Sequence, residues 1–343
     1  MSTYAARRQQ LMDRLGPKAV AVIGGKRPTL RNGDVENRFR ASSMEELLEI
    51  ARKLKEIFGG ETDILESFNQ DAALLGDGDE LAERYSGVRA RYENRKVGSD
   101  RVRLRFEFGS YHEQWDRSTI EAMGKDTSLP GLYRTRQDFS PVATFVLARP
   151  LTLSFGADFE RFDTQFPAAR TQSANAAITT LRYERRFEGW GADQQELEAG
   201  YSLRAATKAL NSDFAYARHS WDVRYSFTRG KHTVSDEALA GLITGQAPLF
   251  ERFTLGNSSL LRGWNKFDLD PLGGSRVAHN SLEYRYAMID VFYDAGAIWD
   301  QGQEAILRHS VGIGIRKSSF MVAMAFPIKE GRASPIFMVG MNY

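Results

Sequence analysis

The feature that most constrains this chain is a change of hydrophobic period. From about Tyr85 onward, apolar and polar side chains alternate one by one. In RVRLRFEFGSY (101–111), Val102, Leu104, Phe106 and Phe108 share one face, while Arg101, Arg103, Arg105 and Glu107 share the other. LTLSFGADF (151–159) sets Leu151, Leu153, Phe155, Ala157 and Phe159 on one side. ELEAGYSLRAAT (196–207) opposes Leu197, Ala199, Tyr201, Leu203 and Ala205 to Glu198, Ser202 and Arg204. SWDVRYSFT (220–228) opposes Trp221, Val223, Tyr225 and Phe227 to Asp222, Arg224 and Ser226. A helix turning every 3.6 residues cannot keep such a set together; a strand, with its period of two, does so by construction. Segments 84–93, 138–148, 174–187, 232–244, 277–287, 289–299, 307–316, 319–327 and 335–343 add to the pattern. The sequence therefore predicts about thirteen strands. Many run to roughly nine to thirteen residues, against about five or six in soluble sheets.

Both a soluble β-sandwich and a membrane barrel alternate in this way. The polar faces here carry charges of both signs, as a hydrated lumen requires, and the apolar faces are broad and aromatic. Aromatics gather near strand ends, at Phe250, Phe253, Trp264, Tyr284 and Tyr286. Connections are tight at 148–150 and 317–318 but long at 112–137 and 257–276. These traits favour an all-β transmembrane barrel, antiparallel, of about 12–16 strands, with short turns at one end and long loops at the other. The mean hydropathy of −0.43 is no obstacle, because barrel strands interleave lipid-facing and lumen-facing residues. No run of about 20 apolar residues exists, which excludes a helical membrane protein. A formal charge of +2 gives no pull toward nucleic acid. The absence of cysteine excludes disulfides and thiolate metal sites.

Residues 1–83 read differently. The opening MSTYAARRQQLMDRLGPKAVAVIGG has an apolar run, AVAVIGG, too short for an export signal, so no signal peptide is visible and the chain reads as a fragment or a misassigned start. SMEELLEIARKLKEIF (43–58) places Met44, Leu47, Leu48, Ala51, Leu54 and Ile57 on one helical stripe behind a Ser43-to-Glu46 capping pattern. Residues 59–80 read as loop with a short helix. The expected domains are an N-terminal fragment (1–42), a helical and loop linker (43–83), and a barrel (84–343) with a long inward loop at 257–276.

That loop reads NSSLLRGWNKFDLDPLGG. It is too polar for a core strand and too long for a hairpin turn. Taken with ERFTLGNSSLLRGW (251–264), AHNSLEYRY (278–286), DVFYDAGAIWD (290–300) and PIFMVGMNY (335–343), it resembles the outer-membrane assembly-factor superfamily, the BamA/TamA group or bacterial surface antigen family. The resemblance is close over 245–343. It implies that the loop folds back into the barrel and that Arg262, followed by Gly263 and Trp264, reaches the wall carboxylates Glu283 and Asp294. Alternation independently allows this. Glu283 shares parity with Ser281 and Arg285, and Asp294 with Asp290, so both carboxylates should face the lumen. Arginine suits the task because its planar fork bridges two carboxylates, which lysine cannot reproduce. The resemblance also implies that Phe337, Val339, Met341 and the terminal Tyr343 form an aromatic-ended assembly signal. It further implies outer-membrane lipid, unfolded outer-membrane protein clients, and periplasmic chaperones or assembly lipoproteins as partners. The implied activity is insertion or translocation of proteins by opening of a seam, with no catalytic residue, cofactor or metal.

The chain departs from that family's pattern in having no visible signal, no clear periplasmic domain, and fewer strands than the usual sixteen. A two-partner-secretion transporter pore shares the barrel and loop motif and stays open as an alternative. Residues 4–40 resemble the start of the aminopeptidase P N-terminal domain, leaving a soluble peptidase-related fragment as a further alternative. That chemistry needs a dinuclear site of Asp, His and Glu, and no such spacing follows residue 80. Histidines 112, 219, 232, 279 and 309 are scattered. Glu283 and Asp294 as a general acid/base pair would lack any accompanying nucleophile.

Overall fold

Strict alternation yields long strands that pair with their sequence neighbours. The computed structural model describes residues 21–22, 61–67, 81–125, 131–166, 168–188, 193–256, 260–317, 320–329 and 335–341. The strands are β1 (Ala21–Val22), β2 (Glu61–Ser67), β3 (Ala82–Asn94), β4 (Val102–Trp115), β5 (Leu132–Ala148), β6 (Leu151–Phe166), β7 (Arg170–Ser173) and β8 (Ala176–Glu188). They continue with β9 (Gln194–Ala206), β10 (Ala215–Arg229), β11 (His232–Gln246), β12 (Arg276–Tyr286), β13 (Ile289–Trp299), β14 (Arg308–Lys317), β15 (Phe320–Pro327) and β16 (Ile336–Met341). Two short helices, α1 (Arg117–Met123) and α2 (Lys266–Leu269), lie in loops at the long-loop end.

β2–β6 and β8–β16 form an antiparallel meander of fourteen strands, with β7 paired to the extended end of β6 and β1 set parallel on β2. This is an antiparallel barrel-type sheet. Among the described residues no pairing joins its two ends, so the described strands form an open sheet. The strand Glu61–Ser67 corrects the reading of 59–80 as loop with a short helix. Its sequence, ETDILES, is short and acidic, and pairing with β3 decides it. The helix expected at 43–58 and nearly all of the peptidase-like segment 4–40 lie outside the described residues. The long connection expected at 112–137 is shorter than its sequence suggests. β4 extends to Trp115, α1 follows with Asp116 as its N-cap, and β5 begins at Leu132.

The two faces sort as the alternation requires. Leu147, Phe155, Trp221, Val223, Leu282, Tyr284, Val291, Tyr293, Ile313 and Ile315 are all exposed on the outer surface. For a barrel in lipid, this apolar exterior is the expected arrangement. The inner face carries Glu113, Arg136, Asp158, Glu160, Asp290 and Asp294, all buried. The core is therefore inside the cylinder, where the β11–β12 connection, residues 247–275, folds onto the wall. Phe250, Phe253, Leu255, Leu261 and Trp264 from this connection pack with Tyr133, Phe162, Tyr216 and Val277 from the strands and with Phe214 just before β10. Each such burial stabilises by about 1.5–3 kcal/mol. Phe250, Phe253 and Trp264 thus fill the lumen and do not belong to an outer aromatic belt; Tyr284 and Tyr286 do face outward. The inward connection also begins about ten residues before the expected 257, because β11 stops at Gln246.

Candidate functional site

The site forms where the returning loop meets β12 and β13. Leu261 adopts φ 52° and Gly263 φ 88°, two left-handed residues flanking Arg262. Trp264 N–H donates to the Leu261 carbonyl at 3.3 Å, closing a tight turn. Leucine in this region costs about 1–2 kcal/mol, and the strain is held by the contacts around it. A Cβ at Gly263 would sit 3.0 Å from the Ala325 Cβ, so glycine is required both for its φ and for the approach to β15. Leu261 N–H donates to His279 Nε2 at 3.0 Å, fixing the turn to β12.

Arg262 then spends its whole fork on the wall. Its Nε donates to Asp294 Oδ2 at 2.9 Å, Nη2 to Asp294 Oδ1 at 2.8 Å and Nη1 to Glu283 Oε2 at 3.1 Å. Nη2 also donates to Ser281 Oγ at 2.9 Å, and the Arg262 backbone N–H donates to Asp294 Oδ2 at 3.0 Å. Below the guanidinium lies the Phe292 ring, with Cζ 3.5 Å from its centroid. Asp294 is 0% exposed and takes a further bond from Ser281 Oγ at 2.7 Å. Ser281 and Asp294 face each other directly across β12 and β13. A buried carboxylate is stable only when paired and hydrogen-bonded, and this one is saturated. Glu283 is shared: Arg285 Nη2 donates to its Oε1 at 2.9 Å, and Arg316 Nη2 lies 3.5 Å from the same oxygen. Arg285 and Arg316 also reach Asp290. Trp264 Nε1 donates to the His309 carbonyl at 2.9 Å, and the ring packs under Arg308 and Lys329. Between them, Arg262, Gly263 and Trp264 therefore reach β12, β13, β14 and β15.

The C-terminal residues are placed less uniformly. Phe337 stands 71% exposed on the outer face. Val339 and Met341 lie in register opposite Val322 and Phe320, while Tyr343 is outside the described residues.

A second ionic cluster was missed by sequence reasoning. Glu251, at the end of the 3₁₀ turn Leu249–Glu251, meets the wall at β9 and β10. Its Oε1 lies 2.7 Å from Arg204 Nε, and its Oε2 lies 3.6 Å from Arg218 Nε. Arg218 Nε also donates to the Glu251 carbonyl at 2.9 Å. Arg204 reaches Asp158 at 2.6 Å and Glu160 at 3.1 Å, and Arg136 stacks over Phe250. These groups line a polar cavity of about 390 Å³ inside the sheet. The missed signal was the inward parity of Arg204 and Arg218, which alternation does give. Their meeting with Glu251 joins segments too far apart in sequence to be read.

A curved antiparallel sheet filled by an inward loop, with an Arg-Gly-Trp tip on wall carboxylates, defines a class of membrane barrel. Residues 189–329 match the Omp85 superfamily domain, and the C-terminal part of this chain resembles the barrels of the BamA/TamA group. It is similar to the outer membrane protein assembly factor BamA of Nitratidesulfovibrio vulgaris, at 33% identity over 111 residues. That match covers 26% of this chain and 14% of the relative, so the chain corresponds to a small part of that protein's length. Among solved structures, BamA from Haemophilus ducreyi lacking POTRA domains 1–3 aligns with a TM-score of 0.58 at 14% identity. The alignment covers 74% of this chain and 62% of that one, and it establishes the shared barrel fold. LpxR from Salmonella typhimurium aligns at a TM-score of only 0.34 and 8% identity.

Proposed function

We propose that this chain forms the membrane-embedded part of an outer-membrane assembly factor that inserts or translocates other barrel proteins. The proposal rests on the Arg262 clasp with Asp294 and Glu283. An open antiparallel sheet presents unpaired N–H and C=O groups at its ends, and a client strand can add there by ordinary ladder pairing. Such templating draws its free energy from strand pairing and apolar burial in lipid, so it calls for no nucleotide, metal or acid/base pair. What it requires is a wall that keeps its curvature while the seam yields. The Arg262 tip supplies that by holding β12 to β15, the strands leading to the C-terminal edge. Clients would be unfolded outer-membrane proteins, delivered by periplasmic chaperones or assembly lipoproteins to a barrel seated in outer-membrane lipid. Phe337, Val339, Met341 and Tyr343 would serve as this chain's own assembly signal.

The test places purified protein in phosphatidylcholine vesicles and follows the gel shift of an unfolded outer-membrane barrel client as it inserts. Arg262→Ala should slow insertion by roughly tenfold or more and open the loop to protease, since it strands a buried carboxylate. Wild-type insertion together with wild-type protease resistance in that variant would sink the reading.

A further inference from the structure

Arg204 and Arg218 stand directly opposite each other on β9 and β10, both facing inward. Like charges at facing positions of an antiparallel pair repel. The wall carboxylates Asp158 and Glu160 already meet Arg204, and the loop adds Glu251, which reaches Arg204 and Arg218 together. We infer that Glu251 is a second, independent anchor of the inward loop, opposite in polarity to Arg262 and holding a different limb to a different wall. The inference rests on the tether reading above.

The two anchors have the same design with the signs reversed. At the tip, the loop donates to a wall carboxylate with both its backbone N–H and its guanidinium. At Glu251, the loop accepts from wall guanidiniums with both its backbone carbonyl and its carboxylate. Using backbone and side chain together fixes position as well as charge. Around Glu251 the ascending limb is fastened further: Phe253 lies under Arg218 at 4.4 Å, and Arg252 reaches Asp300 at 2.6 Å. The reversed polarity keeps the two limbs from exchanging sockets, because Arg262 beside Arg204, or Glu251 beside Asp294, would place like charges together in a buried space. Glu251 is a positioning residue. It keeps residues 247–256 on β9 and β10 whether or not the Arg262 tip is engaged.

Hydrogen exchange of the full chain in phosphatidylcholine vesicles, read on loop peptides by mass spectrometry, tests this. Glu251→Gln leaves Arg204 with Asp158 and Glu160, so the barrel should still fold. Exchange in 247–256 should then quicken roughly tenfold or more, while 260–270 and the strands keep wild-type protection. Arg262→Ala should do the reverse, loosening 260–270 and sparing 247–256. Arg218→Gln, altering the wall side, should reproduce the Glu251→Gln pattern, and the double variant should add little to either. A merely structural effect would raise exchange throughout the strands and overturn the inference, as would unchanged exchange in 247–256 in both single variants. Should Arg262→Ala leave 260–270 protected, the tether reading itself fails, and that outcome is distinct from a failure at Glu251.

Discussion

The Arg262 and Glu251 clusters solve one physical problem, holding a polar loop inside a barrel, with different parts. At Arg262 a single loop cation meets acids from two adjacent strands, and a hairpin places them: Ser281 faces Asp294, and Arg285 faces Asp290. At Glu251 a single loop anion meets a wall assembled from β6, β9 and β10, with Asp158, Glu160, Arg204 and Arg218 converging from distant segments. The first is local and compact, with Asp294 saturated by four hydrogen bonds from the loop and Ser281. The second surrounds a cavity and leans on one residue, Arg204, which serves three carboxylates. A clasp built on a hairpin inherits its geometry from the strand register; one built over several strands depends on the loop to complete it.

That difference predicts where the molecule breaks most easily. Arg204→Ala removes the common partner of Asp158, Glu160 and Glu251 at once and should cost about 3–5 kcal/mol, the range for opening a buried pair. Arg262→Lys keeps a charge beside Asp294 but loses the fork, and should cost about 1–3 kcal/mol. Urea unfolding of the two variants in detergent micelles would rank them. The reverse order would show that the hairpin clasp, and not the lumen cluster, dominates the barrel's stability.

How much of this was legible follows from the same contrast. The strands of the meander from β3 onward announced themselves through period-two alternation, and the parity of Glu283 and Asp294 placed both on the inner face. Arg262 was singled out by the resemblance of its loop to the assembly-factor family; the bare sequence would leave it an exposed loop charge. Nothing comparable marked Glu251. Its neighbours Phe250 and Phe253 read as strand-end aromatics because alternation says which face a residue takes only within a strand, and these lie just beyond β11. The strand Glu61–Ser67 escaped for a related reason: its pairing with β3 is tertiary, and ETDILES by itself has little strand propensity.

Packing under the ascending limb offers a smaller and sharper test. A Cβ at Gly241 would stand 2.3 Å from the Phe253 ring, so this wall glycine is the floor on which the ring lies. Gly241→Ala should cost about 1–3 kcal/mol as the ring is forced off β11. Because Phe253 also lies under Arg218, the variant should loosen the Glu251 limb and leave Arg262 untouched. Equal loosening of both limbs on hydrogen exchange would erase the distinction between them.

The smallest expected effect comes from acid. Burial alone would raise the Asp300 carboxyl, yet hydrogen bonds from Arg252 and from Ser275 hold it below the ordinary carboxylate value. A carboxyl depressed in the folded state adds stability above its unfolded pKa of about 4 and loses it as pH falls through the lower folded value. The Arg252–Asp300 contact ties the ascending limb to the end of β13, outside the strands. Lowering pH from 5 to 3 should therefore loosen residues 247–256 slightly in wild type. Asp300→Asn should remove that increment while lowering the starting stability by a modest amount, since the pair is partly exposed. If the acid-dependent loosening persists unchanged in Asp300→Asn, the sensitivity belongs to carboxylates deeper in the lumen, and Asp300 is no part of what secures the limb.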